Sequence, residues 1–260
     1  MYIEIVIWIE AIILSVVEGI TEFLPISSTG HMTLVANLMR ISQSEFVKSF
    51  EIVIQLGAIG AVAWLYRKRL TGSGAKTLWP KILVAFLPTG ILGFTLYKAV
   101  KGYLIGNVTV TLLALALGGF AILYLEKVLK NKEGTVEKTG WKKMLIIGFF
   151  QSVSMIPGVS RAAATIIGGR VMGLSRREAT EFSFFLAIPT MVAAAGFDLV
   201  KTRMEFSGGE YGLLAFGFVG AFVTALLTVK WFVSFVEKHN LSLFGWYRIG
   251  LAVVYWLVVR

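Results

Sequence analysis

A proline inside an apolar run of membrane length limits this chain more than any other feature. Pro25 interrupts a largely apolar stretch from Ile3 to Met39. Its ring disfavours helical backbone at Leu24, so the run cannot be one regular helix. Residues 27–39, on the far side, are too few to cross a hydrocarbon core that needs about 20 residues. The stretch is therefore expected to enter and leave the membrane on one side, as a re-entrant hairpin. Backbone of that kind is tolerated at depth only where protein or a water-filled cavity satisfies its polar groups.

Polar residues crowd at this break. Glu18–His31 reads EGITEFLPISSTGH, with two carboxylates, two serines, a threonine and a histidine. An ionisable residue at membrane depth costs roughly 2.5–3.5 kcal/mol on insertion scales and marks a functional site by default. Glu18 and Glu22 are four residues apart and share a helical face. Ser27, Ser28 or Thr29 can cap a second short helix, whose free N–H groups and positive dipole end suit an anion. Ser28 and His31, three apart, are expected to face one pocket as nucleophile and base. Two acidic groups beside a phosphate-type anion site imply a divalent cation held by Glu18 and Glu22, magnesium or calcium.

Composition sets the class. Of 260 residues, 57% are hydrophobic and 15% charged, with a mean hydropathy of +0.78. A soluble domain of this size is not so apolar, and a polytopic helical membrane protein is expected. There is no cysteine, which excludes disulfides and thiolate metal sites. The net charge of +10 does not point to nucleic acid, because the basic residues fall between apolar spans as topology signals do. Glu4 and Glu10 break up the pattern a cleaved signal peptide would show.

After the first hairpin, spans are expected at Phe46–Tyr66, Ile82–Tyr97 with Pro88 as a kink, and Val108–Leu125. A basic loop, Arg67–Lys81, separates the first two, and Glu126–Lys143 is a polar linker. Met144–Gly169 is apolar but broken by IPGVSRAAAT, so it forms a second broken hairpin. Spans near Phe182–Leu199, Leu213–Val236 and Leu243–Val259 complete the chain. At an offset of 132 residues, Pro25 falls on Pro157, Ser28 on Ser160 and Phe50 on Phe182. The fold expected is an all-α polytopic membrane protein, a single integral membrane domain over 1–260. It is built as an inverted-topology repeat, with halves 1–130 and 140–260 joined by the polar linker. Each half holds one re-entrant broken-helix hairpin and three transmembrane helices.

Charge orients it. The segments 67–81, 127–143 and 170–177, with Lys230 and Lys238, carry 16 Lys or Arg. The opposite side has seven: Arg40, Lys48, Lys98, Lys101, Lys201, Arg203 and Arg260. The first set is expected to be cytoplasmic, which places both termini and the opening of the first hairpin outside.

At the second break Arg161 follows Ser160, and a guanidinium suits bidentate capture of phosphate. Ser160 and Thr165 are candidates for the same pocket or for helix capping. Gln55, four residues from Glu51 on its span, is a candidate for lining it.

The blocks EGITEFLPISSTGH, FEIVIQLGAI, PGVSRAAAT and EFSFFLAIP, in this order, resemble those of the bacterial undecaprenyl-diphosphate phosphatases, also called bacitracin resistance proteins. The resemblance implies an inner-membrane enzyme that hydrolyses undecaprenyl diphosphate to the monophosphate and phosphate, recycling the lipid carrier of peptidoglycan synthesis. It also implies a divalent cation and a site facing the periplasm. Matched by position, the family's acidic pair is Glu18 and Glu22, its hydroxyl cluster Ser27, Ser28 and Thr29, and its histidine His31. Its arginine is Arg161, with Ser160 and Thr165 beside it. The family often reads SRSGAT where this chain has SRAAAT, so a hydroxyl and a glycine are missing at the second break.

Either Ser28 attacks the terminal phosphorus or His31 activates a water; the sequence leaves both open. A transporter or flippase of a phosphorylated polyprenyl lipid would use the same pocket without hydrolysis. The acid-phosphatase-type lipid phosphatases share an SGH-like motif but need a second histidine after their Ser-Arg pair, and none follows Arg161 until His239. Expected partners are the polyprenyl diphosphate, the membrane lipids and, left open, a second copy of the chain.

The orientation can be checked with single cysteines in a chain that has none. Cysteines at Thr71 and Thr135 are expected to be shielded from an impermeant thiol reagent added to intact cells, and one at Ser207 to react. The reverse pattern would put the site in the cytoplasm.

Overall fold

The computed structural model describes residues 2–42, 44–104, 107–130, 132–201 and 206–259. The side chains of Glu4, Lys98, Lys101 and Lys201, together with Arg203 and Arg260, lie outside the described residues, so part of the charge count above has no structural counterpart.

The chain is helical throughout. α1 (Tyr2–Thr21) and α2 (Ser28–Met39) flank the first break. α3 (Glu45–Leu65) is followed by a short α4 (Arg67–Thr71), a long α5 (Ala75–Ala99) ending in a π-helical turn (Val100–Leu104), and α6 (Val108–Val128). The second broken segment comprises α7 (Trp141–Ser152), a 3₁₀ turn (Val153–Met155) and α8 (Arg161–Val171). α9 (Arg176–Lys201), α10 (Gly208–Lys238) and α11 (Ser242–Val259) complete it. Among the described residues five helices, α3, α5, α6, α9 and α10, are long and apolar enough to cross a membrane. With an exterior that presents many large apolar side chains, this is a polytopic α-helical membrane protein.

One expectation changes. The basic loop Arg67–Lys81 is mostly helical: Gly72–Gly74 separate α4 from α5, and Trp79 Nε1 donates back to the Leu70 carbonyl at 2.9 Å. Pro88 stands inside its span as expected, and so does Pro80; both lie within α5, as Pro189 does within α9.

The register between the two breaks also shifts by one. Ser27 and Ser160 each have a positive φ, 73° and 74°. Each caps the helix it precedes, Ser27 through Gly30 N–H and Ser160 through Ala163 N–H. The structural partner of Ser160 is thus Ser27, not the Ser28 that the sequence register chose. Hydropathy is blind to a slip of one residue in an apolar run, whereas a cap is not. Ser28 and Arg161 then hold the same place, the first helical position after a cap.

α1 and α3 both pack against α10, α5 packs against α7, and α6 against α11. The opposite end of the bundle from the breaks is tied by ion pairs. Arg69 bonds Glu137, Glu178 and Glu181; Arg177 bonds Glu181 and Glu237; Arg176 bonds Glu126. Lys81 is buried and gives its ammonium to the carbonyls of Val136 and Glu137 at 2.7 and 2.6 Å. The segments that sequence charge assigned to one side therefore meet one another.

α3 and α10 touch closely at Gly57, where any Cβ would collide with the carbonyl of Phe218. Gly57→Leu is expected to destabilise the protein by about 1–3 kcal/mol through overpacking, read as a lower thermal midpoint in detergent. An unchanged midpoint would contradict this packing.

Candidate active site

The two breaks face each other across a cavity of about 530 Å³. Its polar end carries Glu22 from the end of the first helix, Ser28 and Thr29 from α2, Gln55 from α3 and Arg161 from α8. Its other walls are apolar, with Phe86 and Phe94 on α5 and Met191 and Phe197 on α9. Small residues, Gly90 and Gly93 opposite Ala193 and Ala194, keep that part wide. A cavity polar at one end and greasy along its length suits an amphiphile with an anionic head.

Three side chains form a line at the polar end. Ser28 donates its hydroxyl to Glu22 Oε2 in a short hydrogen bond. Arg161 Nη2 donates to Glu22 Oε1 at 3.0 Å, and its Nη1 to the Ser183 carbonyl at 2.8 Å. The guanidinium lies over the Phe23 ring, 5.6 Å from its centroid, and its Nε is buried without a partner. The pair is largely desolvated, with 10% of the Arg161 and 6% of the Glu22 side chain exposed. Removing one partner of such a pair costs about 3–5 kcal/mol, so both charges hold each other in place.

Helix geometry explains where His31 goes. Side chains in a helix lean toward its N-terminus, and His31 sits just after the cap. Its Nδ1 meets the Ser27 carbonyl at 2.8 Å and its Nε2 the Tyr247 hydroxyl at 2.7 Å, with the two rings parallel. The structure thus does not bring Ser28 and His31 together as a pair. The group that receives the Ser28 hydroxyl is Glu22, and His31 does not line the cavity.

The other candidates separate. Ser27, Ser28, Thr29, Gln55, Ser160 and Arg161 line the cavity. Thr165 is fully buried away from it, bonded to the Arg161 carbonyl at the base of its own helix and to Ser183 Oγ at 2.8 Å. Glu18 lies one turn below Glu22, 1% exposed, close enough to Glu22 and Glu51 for their charges to repel. Its Oε1 is buried with no hydrogen-bond partner. Among the described residues no three acidic or histidine side chains cluster as an all-protein metal cage would require.

Sequence reasoning missed several residues here. Thr89 and Thr190 line the cavity and receive the amide of the fully buried Gln151 at 2.9 and 3.1 Å. Tyr247 and Arg248 on α11 reach the first hairpin. A signal for Arg248 existed: with Arg161, it is the one basic residue that neither set of flanking charges includes, and it stands within an apolar helix.

Fold and site together define an integral membrane protein with an anion pocket at the head of an apolar cavity. Residues 11–254 match the family model for the bacitracin resistance protein BacA, and the chain belongs to that family. A protein of Aquifex aeolicus named undecaprenyl-diphosphatase is 51% identical over 250 residues, spanning 95% of this chain and 96% of that one. One of the same name from Wolinella succinogenes is 51% identical over 248 residues, spanning 94% and 95%. Another, from Thermus thermophilus, is 46% identical over 250 residues, spanning 95% of both.

Proposed function

We infer that this chain is an undecaprenyl-diphosphate phosphatase, which hydrolyses the lipid diphosphate to undecaprenyl phosphate and inorganic phosphate. It thereby returns the lipid carrier to cell-wall synthesis and confers resistance to bacitracin. The observation that carries the reading is the line Ser28–Glu22–Arg161 at the head of the apolar cavity. The names of the relatives agree with it. A transporter would need the cavity but not a hydroxyl bonded to a buried carboxylate.

In the proposed mechanism the polyprenyl tail lies along the α5 and α9 walls and the diphosphate enters the polar end. Arg161 and the N–H groups at the start of α2 hold the terminal phosphoryl group. Ser28 Oγ attacks the terminal phosphorus and its proton passes to Glu22. The bond from that phosphorus to the bridging oxygen breaks, and undecaprenyl phosphate leaves. Glu22 gives that proton to the departing undecaprenyl phosphate. Water then attacks the phosphoserine and passes a proton to Glu22; the Oγ–P bond breaks, Glu22 returns the proton to Ser28 Oγ, and phosphate leaves. Serine is a weak nucleophile unless a base assists it, and Glu22 is the base in contact. His31, braced between Ser27 and Tyr247, shapes the start of α2 in this reading. Gln55 and Thr29 border the head group, and Ser27 and Ser160 act through their caps.

The proposal includes a divalent cation, magnesium or calcium, held by Glu18 and Glu22. The orphaned oxygen of Glu18 fits, since hard cations take carboxylate oxygens, and magnesium often uses only one or two of them beside substrate phosphates. Bound there, the ion would neutralise charge on the diphosphate. The proposal also keeps the inverted repeat, supported by the matching caps at Ser27 and Ser160. It keeps the orientation with cavity and termini outside, supported by the basic segments meeting at the other end. Nothing in the mechanism calls for a second copy of the chain.

Ser28→Ala is expected to lower turnover by several orders of magnitude and to abolish a phosphoenzyme trapped by rapid quench. Glu22→Gln is expected to slow turnover roughly 10²–10⁴-fold. If Ser28→Ala keeps a tenth of wild-type turnover, water is the nucleophile. Chelation is expected to stop phosphate release and magnesium or calcium to restore it; full turnover in chelator would remove the cation from the mechanism.

A further inference from the structure

Arg248 stands inside α11 and is completely buried. Its partners are backbone carbonyls. Nε donates to Leu115 at 3.2 Å; Nη1 donates to Pro25 at 3.0 Å and Val159 at 2.9 Å; Nη2 donates to Ala114 at 3.0 Å and Gly158 at 2.8 Å. A guanidinium has five N–H donors in one rigid plane, and here each has an acceptor. The acceptors come from three places: the first break, the second break, and the middle of α6. Break carbonyls are those a helix cannot satisfy for itself, and membrane depth offers little water to replace the missing partner.

We propose that Arg248 is a positioning residue for the reaction, a side chain outside the Glu22–Arg161 pair that fixes the backbone of the two breaks against each other. Pro25 is three residues before Ser28, and Val159 two before Arg161. Ser28 and Arg161 open α2 and α8, so movement of either break carries a whole short helix with it. The spacing from the Ser28–Glu22 pair to the Arg161 guanidinium is thereby set by one planar fork. The rest of α11 steadies α2 alone: Tyr247 holds His31, and Tyr255 accepts a hydrogen bond from Asn37 at 3.1 Å. Among the described residues of α11, Arg248 is the one that hydrogen-bonds both breaks. A buried guanidinium with no carboxylate partner is a costly way to fill space, and an apolar residue would pack there more cheaply. What it supplies instead is a fixed distance between the Pro25 carbonyl and those of Gly158 and Val159.

Gly118 on α6 belongs to the same device, because a Cβ there would collide with Nη2 of Arg248. This gives two independent ways to disturb the fork. Arg248→Lys keeps the charge but has three donors on one nitrogen and cannot bridge both breaks. Gly118→Ala keeps every donor and pushes the guanidinium off its acceptors.

The inference rests on the proposed phosphatase activity, so the test starts with phosphate release by the wild-type protein from long-chain polyprenyl diphosphate in detergent. No release by the wild type would overturn the function itself. Each variant is then purified as a monodisperse species and assayed well below its own thermal midpoint. The expected result is a kcat lower by about 10- to 100-fold, as small misplacements of reacting groups produce. KM is expected to stay within about threefold, because the apolar walls are untouched. The double variant is expected to lose little more than the worse single variant, since both act through one contact. Wild-type kcat in a folded Arg248→Lys or Gly118→Ala protein, or losses that multiply in the double variant, would reduce Arg248 to a structural plug. If Arg248→Lys does not fold, Gly118→Ala alone decides, by the same kcat criterion.

Discussion

Backbone at membrane depth has no water to fall back on, and this chain breaks its backbone there twice. Every polar group at the breaks must then find a protein partner or serve a purpose. The two ends of each break are treated differently. Carbonyls of the breaks at Pro25, Gly158 and Val159 are closed off by three of the five donors of Arg248. The N–H groups that begin α2 and α8 are capped only in part, through Ser27 and Ser160. The first N–H groups of a helix have no partner within it, and Ser28, Thr29 and Arg161 at these starts line the cavity, where such groups suit an anion. The architecture so converts a backbone liability into a binding site, and it depends on an arginine to close the side that has no use.

Much of this was legible in the sequence because cost leaves marks. Glu18, Glu22, Pro25 and Arg161 are expensive where they stand, and reading expense as function located both breaks and most of the polar residues lining the cavity. Three things escaped. The one-residue register between the breaks depended on which serine caps, and Ser27 and Ser28 are adjacent and chemically alike. The base was assigned to His31 because spacing along a helix suggests a shared face, yet the ring turns back to the Ser27 carbonyl. Glu22 reaches Ser28 across the turn instead, a contact that no helical periodicity encodes. Arg248 obeyed the rule that found Arg161 but had no polar neighbours to draw the eye, its partners being main-chain oxygens from remote segments.

The corrected register gives the site a simple logic. With Ser27 opposite Ser160, the first residue of α2 is a hydroxyl and the first residue of α8 a cation. In the proposed mechanism one break supplies the attacking group and the other the counter-charge, each from the first position of a short helix. The same register sets Glu18 opposite Gln151, both almost wholly buried and each with one oxygen that finds no hydrogen-bond partner. In one hairpin that position is a carboxylate, in the other its neutral isostere. The two caps are alike in backbone, with φ of 73° and 74°, and the residues around them differ in charge.

Charge balance finally explains why the proposed cation belongs with this arrangement. Around the breaks stand three carboxylates, Glu18, Glu22 and the nearby Glu51, and two guanidinium groups, Arg161 and Arg248. Formally the carboxylates are in excess, and Arg161 is already paired with Glu22. A diphosphate entering the pocket brings several negative charges into a site with no net positive charge to meet them. In a medium of low polarity such an excess is far more costly than in water. If Arg161 turned fully to the substrate, Glu22 would be left as a second unpaired anion beside Glu18. A divalent cation held by the two glutamates, as proposed, would remove that conflict: it would compensate the carboxylates and leave the arginine for phosphate. On that proposal substrate and cation would enter as partners, and affinity for each is expected to rise with the concentration of the other.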